Sequence, residues 1–398
     1  MKRIITIFTF LVILFNTTSR IYAKADINYE AEIGASYEMV NIELGAEIKG
    51  AYLIEAKTGK VLYAQGEFDK ASIASVTKIM TLLLVCEALD EGRINLDDTV
   101  TVSANAASMG GSQVYLEEGE RISVEDLIKS TVVASGNDAS VALAEYCAGS
   151  EAEFVRQMNQ KAIELGLKNT HFENTTGLDD TDQNHYSCAA DVGKMSRELI
   201  KYDIILKYSS IWQDSIRNGA FTLTNTNRLV RYYDGCNGLK TGSTDKAGYC
   251  ISATAKRGNM QLIAVVLGAE TRDKRNEAAR TLLDYGFANF ALYEKGAEFI
   301  EKCDVNRGVV LDVNLYSNEF SCVVSKNKYK SVELEYMIPE TIDAPIDSKQ
   351  IVGSIIFKVD GVQIGKSDIY CEEWVEKISI AIILKNILKR IIIGQFSS

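Results

Sequence analysis

The sequence predicts an α+β protein that carries a small all-β domain and an amphipathic helix at its C-terminal end, and three observations predict it. A strand hairpin opens the chain after its leader, helical segments fill the middle, and strands return before a further helix. That order describes a sheet covered by helices rather than alternating βα units. Past Leu292 the segments become alternating strands between polar turns, and both prolines, Pro339 and Pro345, lie there. From Ile380 apolar residues recur at helix spacing. The 398 residues divide into a leader over 1–25, a main domain over 35–292, a β domain over 293–372 and a helix over 374–394.

The leader reads Lys2-Arg3, an apolar run from Ile4 to Phe15, and the small-residue pattern Ala23-Lys24-Ala25. This is the pattern of a cleaved secretory signal, and its apolar run is short of the ~20 residues a bilayer span needs. The rest of the chain is therefore expected outside the cytoplasm. Cleavage would remove Lys2, Arg3, Arg20 and Lys24 and no acid, moving the formal charge from -11 to -15. Such acidity argues against nucleic acid as a partner. The eight cysteines show no C-x-x-C spacing, so neither a metal site nor a redox motif is expected, and no pairing can be read from one sequence.

Gly50–Ala56 and Val61–Ala64 read as strands joined by the turn Lys57-Thr-Gly-Lys60. Residues 74–89 have helix-forming composition and are apolar nearly all round, as a helix buried inside a domain should be. Ser123-x-x-Asp126 resembles a capping box and starts a helix ending near Ala134. A third helix begins at Asp138. Strands return at Gly248–Ala255 and Gln261–Leu267, followed by a helix from Asp273 to Phe290. In the β domain, 309–315, 331–336 and 351–359 alternate as strands. The last helix places Ile380, Ile383, Leu384, Ile387, Leu388, Ile391 and Ile392 on one face and Lys385, Asn386, Lys389 and Arg390 on the other. A basic amphipathic helix on an acidic protein fits a membrane interface better than a dock on the protein's own core.

Ser75-Val-Thr-Lys78 puts a hydroxyl and an amine three residues apart on one helical face. The serine needs a base, and lysine serves only when neutral, which burial can arrange by lowering its pKa from ~10.4 by up to several units. Alone the pair is weak, because Ser325-Lys-Asn-Lys328 has the same spacing. Its company decides. Ser135-Gly-Asn137 follows in a turn between two helices, with both side chains expected at a cleft, and Lys240-Thr-Gly242 follows ahead of a strand. Ser103-Ala-Asn105 and Lys57-Thr-Gly59 match the same short patterns but not the order and contexts.

The trio S-x-x-K, S-x-N and K-T-G is that of β-lactamases and penicillin-binding proteins. Ile73–Thr81, Val124–Ile128, Ser135–Ala139, Phe154-Val-x-x-Met-Asn159, Asp234–Gly248 and Leu282–Phe287 narrow the match. With them the chain resembles, over nearly its whole length after the leader, the low-molecular-mass penicillin-binding D-Ala-D-Ala carboxypeptidases. The resemblance implies a β-lactamase/transpeptidase-like domain, an antiparallel sheet with helices on both sides. It also implies the extra β domain and a terminal helix that anchors the protein on the outer face of the cytoplasmic membrane. Partners implied are peptidoglycan stem peptides ending in D-Ala-D-Ala and β-lactam antibiotics, with no cofactor. Two departures stand out: Ile73 replaces a usual proline, and Asn174-Thr175 replaces Asn-Pro.

The implied roles follow. Ser75 attacks the carbonyl between two D-alanines after losing its proton to Lys78, and Ser135 relays a proton to the leaving D-alanine. Asn137 meets the substrate peptide, and Lys240 with Thr241 meets the terminal carboxylate. The N–H groups of Ser75 and Ser243 form the oxyanion hole, and Gly242 lets the substrate strand come close. A Ser-His-Asp hydrolase would need a histidine, and His171 and His185 read as loop or packing residues. No H-E-x-x-H exists. A β-lactamase would share the trio without needing the last hundred residues, and a non-catalytic wall-binding protein would be expected to lose a reacting group.

Overall fold

A computed structural model describes residues 42–45, 47–178 and 184–394. The expected leader lies outside them. In chain order the first part comprises β1 (Gly50–Glu55), β2 (Val61–Gln65), α1 (Lys78–Asp90), β3 (Thr99–Thr101), α2 (Ala104–Ala107), β4 (Arg121–Ser123), α3 (Val124–Val133), α4 (Asn137–Ala148), α5 (Glu151–Glu164), α6 (Ala189–Leu199) and α7 (Asp203–Ser209). It continues through β5 (Gln213–Ile216), β6 (Phe221–Thr224), α8 (Leu229–Tyr232), β7 (Cys236–Thr244), β8 (Gly248–Arg257), β9 (Met260–Ala269) and α9 (Arg272–Asn289).

The main sheet runs β2-β1-β9-β8-β7, antiparallel throughout. Its central strands are buried on both faces, which is why β1, β8 and β9 read as nearly continuous apolar runs rather than alternating ones. Helix α9 packs on β8 and β9 from one side, and α6 packs on β1 and β9 from the other. Helix α1 lies deeper in the second layer, against α3, α4, α5 and α6, so its lack of an exposed polar face has a direct cause. Ser123 caps α3 by accepting from Asp126 N–H at 3.1 Å.

The second part holds β10 (Phe290–Lys295), β11 (Phe299–Asn306), β12 (Asp312–Ser317), β13 (Phe320–Ser325), β14 (Val332–Met337), β15 (Thr341–Asp343), β16 (Gln350–Val359), β17 (Val362–Cys371) and α10 (Ile380–Gly394). Six of its strands form a sheet in the order β14-β16-β17-β12-β11-β15, over a core that includes Leu315, Ile355, Phe357 and Ile369. Strand β10 leaves α9 directly and pairs with β13.

Three expectations change. Residues 74–89 are not one helix: Ala74–Thr77 is a 3₁₀ turn entered with Ala74 at φ 47°, and α1 starts at Lys78. Packing from two other segments, described below, overrides the local helix preference. Lys240-Thr-Gly242 lies inside β7 rather than ahead of a strand. The run Cys236–Thr244 has two glycines and few β-formers, so its strand character comes from pairing with β8 and not from composition. Finally, Val309–Leu311 is an exposed turn and β12 begins only at Asp312. The turn is held by backbone bonds to residues 376–378 instead of by a sheet neighbour.

Candidate active site

Ser75 sits in the 3₁₀ turn and Lys78 on the first residue of α1. The turn is clamped from two sides. A Cβ on Gly242 of β7 would lie 2.7 Å from Ser75 N, 2.8 Å from Ile73 O and 2.9 Å from Val76 N. A Cβ on Gly177, at φ +77°, would lie 1.8 Å from Ala74 O. Both glycines are therefore required by close approach, and they hold Ala74 in a backbone region costly for a residue with a side chain. The backbone that Gly242 admits here is that of the Ser75 turn.

Lys78 is fully buried, and its Nζ lies 2.9 Å from Ser75 Oγ, 2.6 Å from Asn137 Oδ1 and 3.0 Å from Thr176 O. Burial first, and the nearby Lys240 second, push its pKa well below the ordinary lysine value, against an opposing pull from Asp138. A neutral amine has two hydrogens and one lone pair. Asn137 Oδ1 and Thr176 O can only accept, so they take both hydrogens and leave the lone pair facing the Ser75 hydroxyl. This is the geometry of a serine with its base in place.

Ser135, at φ 64°, and Asn137 flank the turn before α4. Both are buried rather than open to the cleft, because their polar atoms are engaged within the protein. Lys240 Nζ donates to Ser135 Oγ at 2.7 Å and to Thr241 O at 2.8 Å. Asn137 Nδ2 donates to Gly110 O at 2.7 Å, so this amide supports Lys78 and the 110–116 segment before any ligand arrives. Burial, followed by the charge of Arg275, lowers Lys240 to about 7. Thr241 Oγ1 donates to Thr226 Oγ1 at 2.8 Å. Ser243 is exposed and follows Gly242 on β7, the edge strand of its sheet. An edge strand leaves one row of backbone groups unpaired, open to an extended peptide.

The structure thus gathers Ser75, Lys78, Ser135, Asn137, Lys240, Thr241, Gly242 and Ser243. The other matches fall elsewhere. Ser103 caps α2 and bonds Glu145, Lys57 pairs with Glu294 in the β1–β2 turn, and Lys328 pairs with Asp360 at the surface of the β domain.

Several contributors carry no motif. Thr176 acts through a backbone carbonyl, and the turn that aims it is held by Asn174 Oδ1, which accepts from Thr176 N at 3.0 Å and Gly177 N at 2.6 Å. The side chain thereby shapes a turn where proline would otherwise preset one. Asp138, beside Asn137, accepts from Val114 N, Leu116 N and Ala139 N at 3.0, 3.1 and 2.9 Å. His185 Nδ1 accepts from Glu173 N at 3.2 Å, so Nε2–H donates to Thr77 Oγ1 at 2.7 Å. It braces the 3₁₀ turn and is no triad member. Arg275, buried and acting on Lys240 through its charge, belongs to α9 and had no sequence signal. All eight cysteines are free thiols.

An antiparallel sheet between helical layers, with a half-buried serine hydrogen-bonded to a buried lysine at the foot of a central helix, is the arrangement of a serine-type peptidase. Residues 39–271 match the family described as D-alanyl-D-alanine carboxypeptidase, and residues 287–377 match the penicillin-binding protein 5 C-terminal domain. The chain is 44% identical over 351 residues to the D-alanyl-D-alanine carboxypeptidase DacF of Bacillus subtilis, covering 86% of this chain and 90% of that one. It is 36% identical over 337 residues to DacC of Escherichia coli, covering 82% and 83%. Penicillin-binding protein 5 from Haemophilus influenzae superposes with a TM-score of 0.74 at 31% identity, over 83% of this chain and 98% of that one. The chain belongs to the D-alanyl-D-alanine carboxypeptidase family.

Proposed function

We propose that the protein is a serine D-alanyl-D-alanine carboxypeptidase that trims the terminal D-alanine from peptidoglycan stem peptides outside the cytoplasm and is acylated by β-lactams. The observation that carries the residue assignment is the three-way environment of Lys78, whose two carbonyl acceptors reserve its lone pair for Ser75. Ser75 Oγ attacks the penultimate carbonyl as its proton passes to Lys78 Nζ, and the Ser75 and Ser243 N–H groups take the developing oxyanion charge. The leaving D-alanine nitrogen receives, through the Ser135 hydroxyl as relay, the proton that Lys78 took from Ser75, while Lys240 Nζ, 2.7 Å from Ser135 Oγ, keeps its charge. Lys240 and Thr241 bind the free carboxylate, which restricts cleavage to a chain end. Water then releases the acyl group.

The same reading assigns residues 1–25 to a cleaved signal, 35–292 to the catalytic domain, 293–372 to the β domain and α10 to a helix that lies on the membrane; this helix begins at Ile380 and not at 374 as expected, because Val375 and Lys377 are bridged to the β domain. Supporting that last role, Ile380, Ile383, Leu384, Ile387 and Leu388 of α10 are exposed rather than docked on the protein. No described helix is long and apolar enough to cross a bilayer.

The test is release of D-alanine from a peptide ending in D-Ala-D-Ala, with labelled penicillin to trap the acyl-enzyme. Release that stops in Ser75→Ala, with label mapped to Ser75, is expected. Label on another residue would overturn the assignment, and fast penicillin turnover would make the protein a β-lactamase.

A further inference from the structure

The turn that joins β11 to β12 exposes three apolar residues in a row. Val309 and Val310 are each 41% exposed and Leu311 is 84% exposed. Consecutive exposed apolar residues are unusual on a soluble surface unless something covers them. This turn is rigidly built. Val305 N donates to Leu311 O at 2.8 Å, and Gly308 packs so closely that a Cβ there would sit 2.6 Å from Val305 and 3.1 Å from Val375, both in the β-domain core.

The turn is also tied to the segment that leads into α10. Val309 N donates to Glu376 O at 3.0 Å and Ile378 N to Arg307 O at 2.8 Å, while Gly308 and Lys377 form an antiparallel bridge. That segment adds Trp374, 61% exposed, and Ile378, and the exposed stripe of α10 begins at Ile380. The apolar tip, the tryptophan and the helix stripe therefore arise from one hydrogen-bonded corner of the β domain.

We propose that the tip Val309–Leu311, with Trp374 and Ile378, is a second membrane-contacting element that enters the lipid interface beside α10; this rests on the reading of α10 as an interfacial helix. Tryptophan is enriched at the depth where headgroups meet acyl chains. A single weak anchor gives reversible membrane binding, and a second signal makes it stable. Glu372, Glu373 and Glu376 flank the tip, so its contribution is apolar, while the cations of α10 supply the attraction to anionic lipid. Two contacts instead of one would also fix the orientation of the β domain on the surface, where a helix alone would let it swing.

The chain has two tryptophans, Trp212 and Trp374, so Trp212→Phe leaves Trp374 as the only reporter. The protein with α10 intact is mixed with phosphatidylglycerol/phosphatidylethanolamine vesicles whose acyl chains are brominated. The expected results are quenching of Trp374 and a partition coefficient about tenfold lower in Leu311→Ser, with penicillin labelling of that variant unchanged. Sedimentation with vesicles but no quenching and no effect of Leu311→Ser would overturn the tip while leaving α10 standing. No sedimentation at all would overturn the α10 reading and the tip with it. A lipid-free dimer lost in Leu311→Ser would assign the patch to self-association and refute the proposal.

Discussion

Gly242→Ala is the sharpest perturbation of the site that leaves every proposed reacting group chemically intact. The new methyl would meet Ser75 N at 2.7 Å where ordinary contact begins at 3.4 Å, so a gap of about 0.7 Å must open there, with slightly smaller ones at Ile73 O and Val76 N. All three atoms are backbone of the turn that carries Ser75, and Gly177 blocks retreat on the far side of that turn. The strain is therefore relieved by moving Ser75, with its N–H, and β7 apart. Misplacement by ~1 Å costs on the order of a hundredfold in rate, so acylation by a fluorescent penicillin is expected to slow between about ten- and a hundredfold, about 1.4 to 2.7 kcal/mol. Overpacking costs ~1–3 kcal/mol of stability, which a folded domain with ~5–15 kcal/mol survives. Gly296→Ala, where a Cβ meets nothing within 4 Å, is the control. Acylation of Gly242→Ala within about twofold of the parent, a change worth less than ~0.5 kcal/mol in barrier, would refute the account of this glycine.

Other outcomes follow from the same geometry. In the proposed mechanism Lys78 is neutral when it takes the Ser75 proton, whereas Lys240, lowered to about 7 by burial and Arg275, is charged when it holds a carboxylate. kcat/KM for a D-Ala-D-Ala peptide should therefore rise on an acid limb set by Lys78 and fall on an alkaline limb set by Lys240, and a profile climbing steadily past the alkaline limb would contradict these roles. Asp138→Asn removes a carboxylate that accepts from three backbone N–H groups and holds the Lys78 pKa up. It should cost ~2–3 kcal/mol in denaturant unfolding and shift the acid limb to lower pH; an unmoved limb would argue against that coupling. Gly177→Ala, forced at φ +77° with a Cβ 1.8 Å from Ala74 O, should abolish penicillin labelling and lower the melting temperature more than Gly242→Ala does. Equal melting temperatures would count against the clamp.

Much of the molecule was legible in the chain because its signals are local. Apolar runs and turns marked β1, β2, β8, β9, α3, α4 and α9, and the i, i+3, i+4 stripe marked α10, since periodicity depends only on which side of an element is covered. Seven of the eight proposed site residues fall in short motifs in a fixed order, which separated Ser75-Val-Thr-Lys78 from the copy at Ser325, whereas Ser243 came only from the family resemblance. Contacts between distant segments were not. Nothing local distinguishes Gly177 or Gly242 from a flexible glycine, or shows that Thr176 lends a carbonyl and Arg275 a charge. Even the helical start expected at Ala74 gave way to a 3₁₀ turn under pressure from β7 and the 174–177 turn.

The sequence by itself thus determined which groups are available for the proposed chemistry, two serine hydroxyls, two amines and an amide, because those are properties of side chains. Only the tertiary structure decided how they are set against one another. It buried Lys78 and Lys240 to shift their proton affinities, spent two hydrogens of Lys78 on Asn137 and Thr176, and pressed two backbones against Ser75. Desolvation and close packing belong to the assembled interior, and no single segment of the chain carries them.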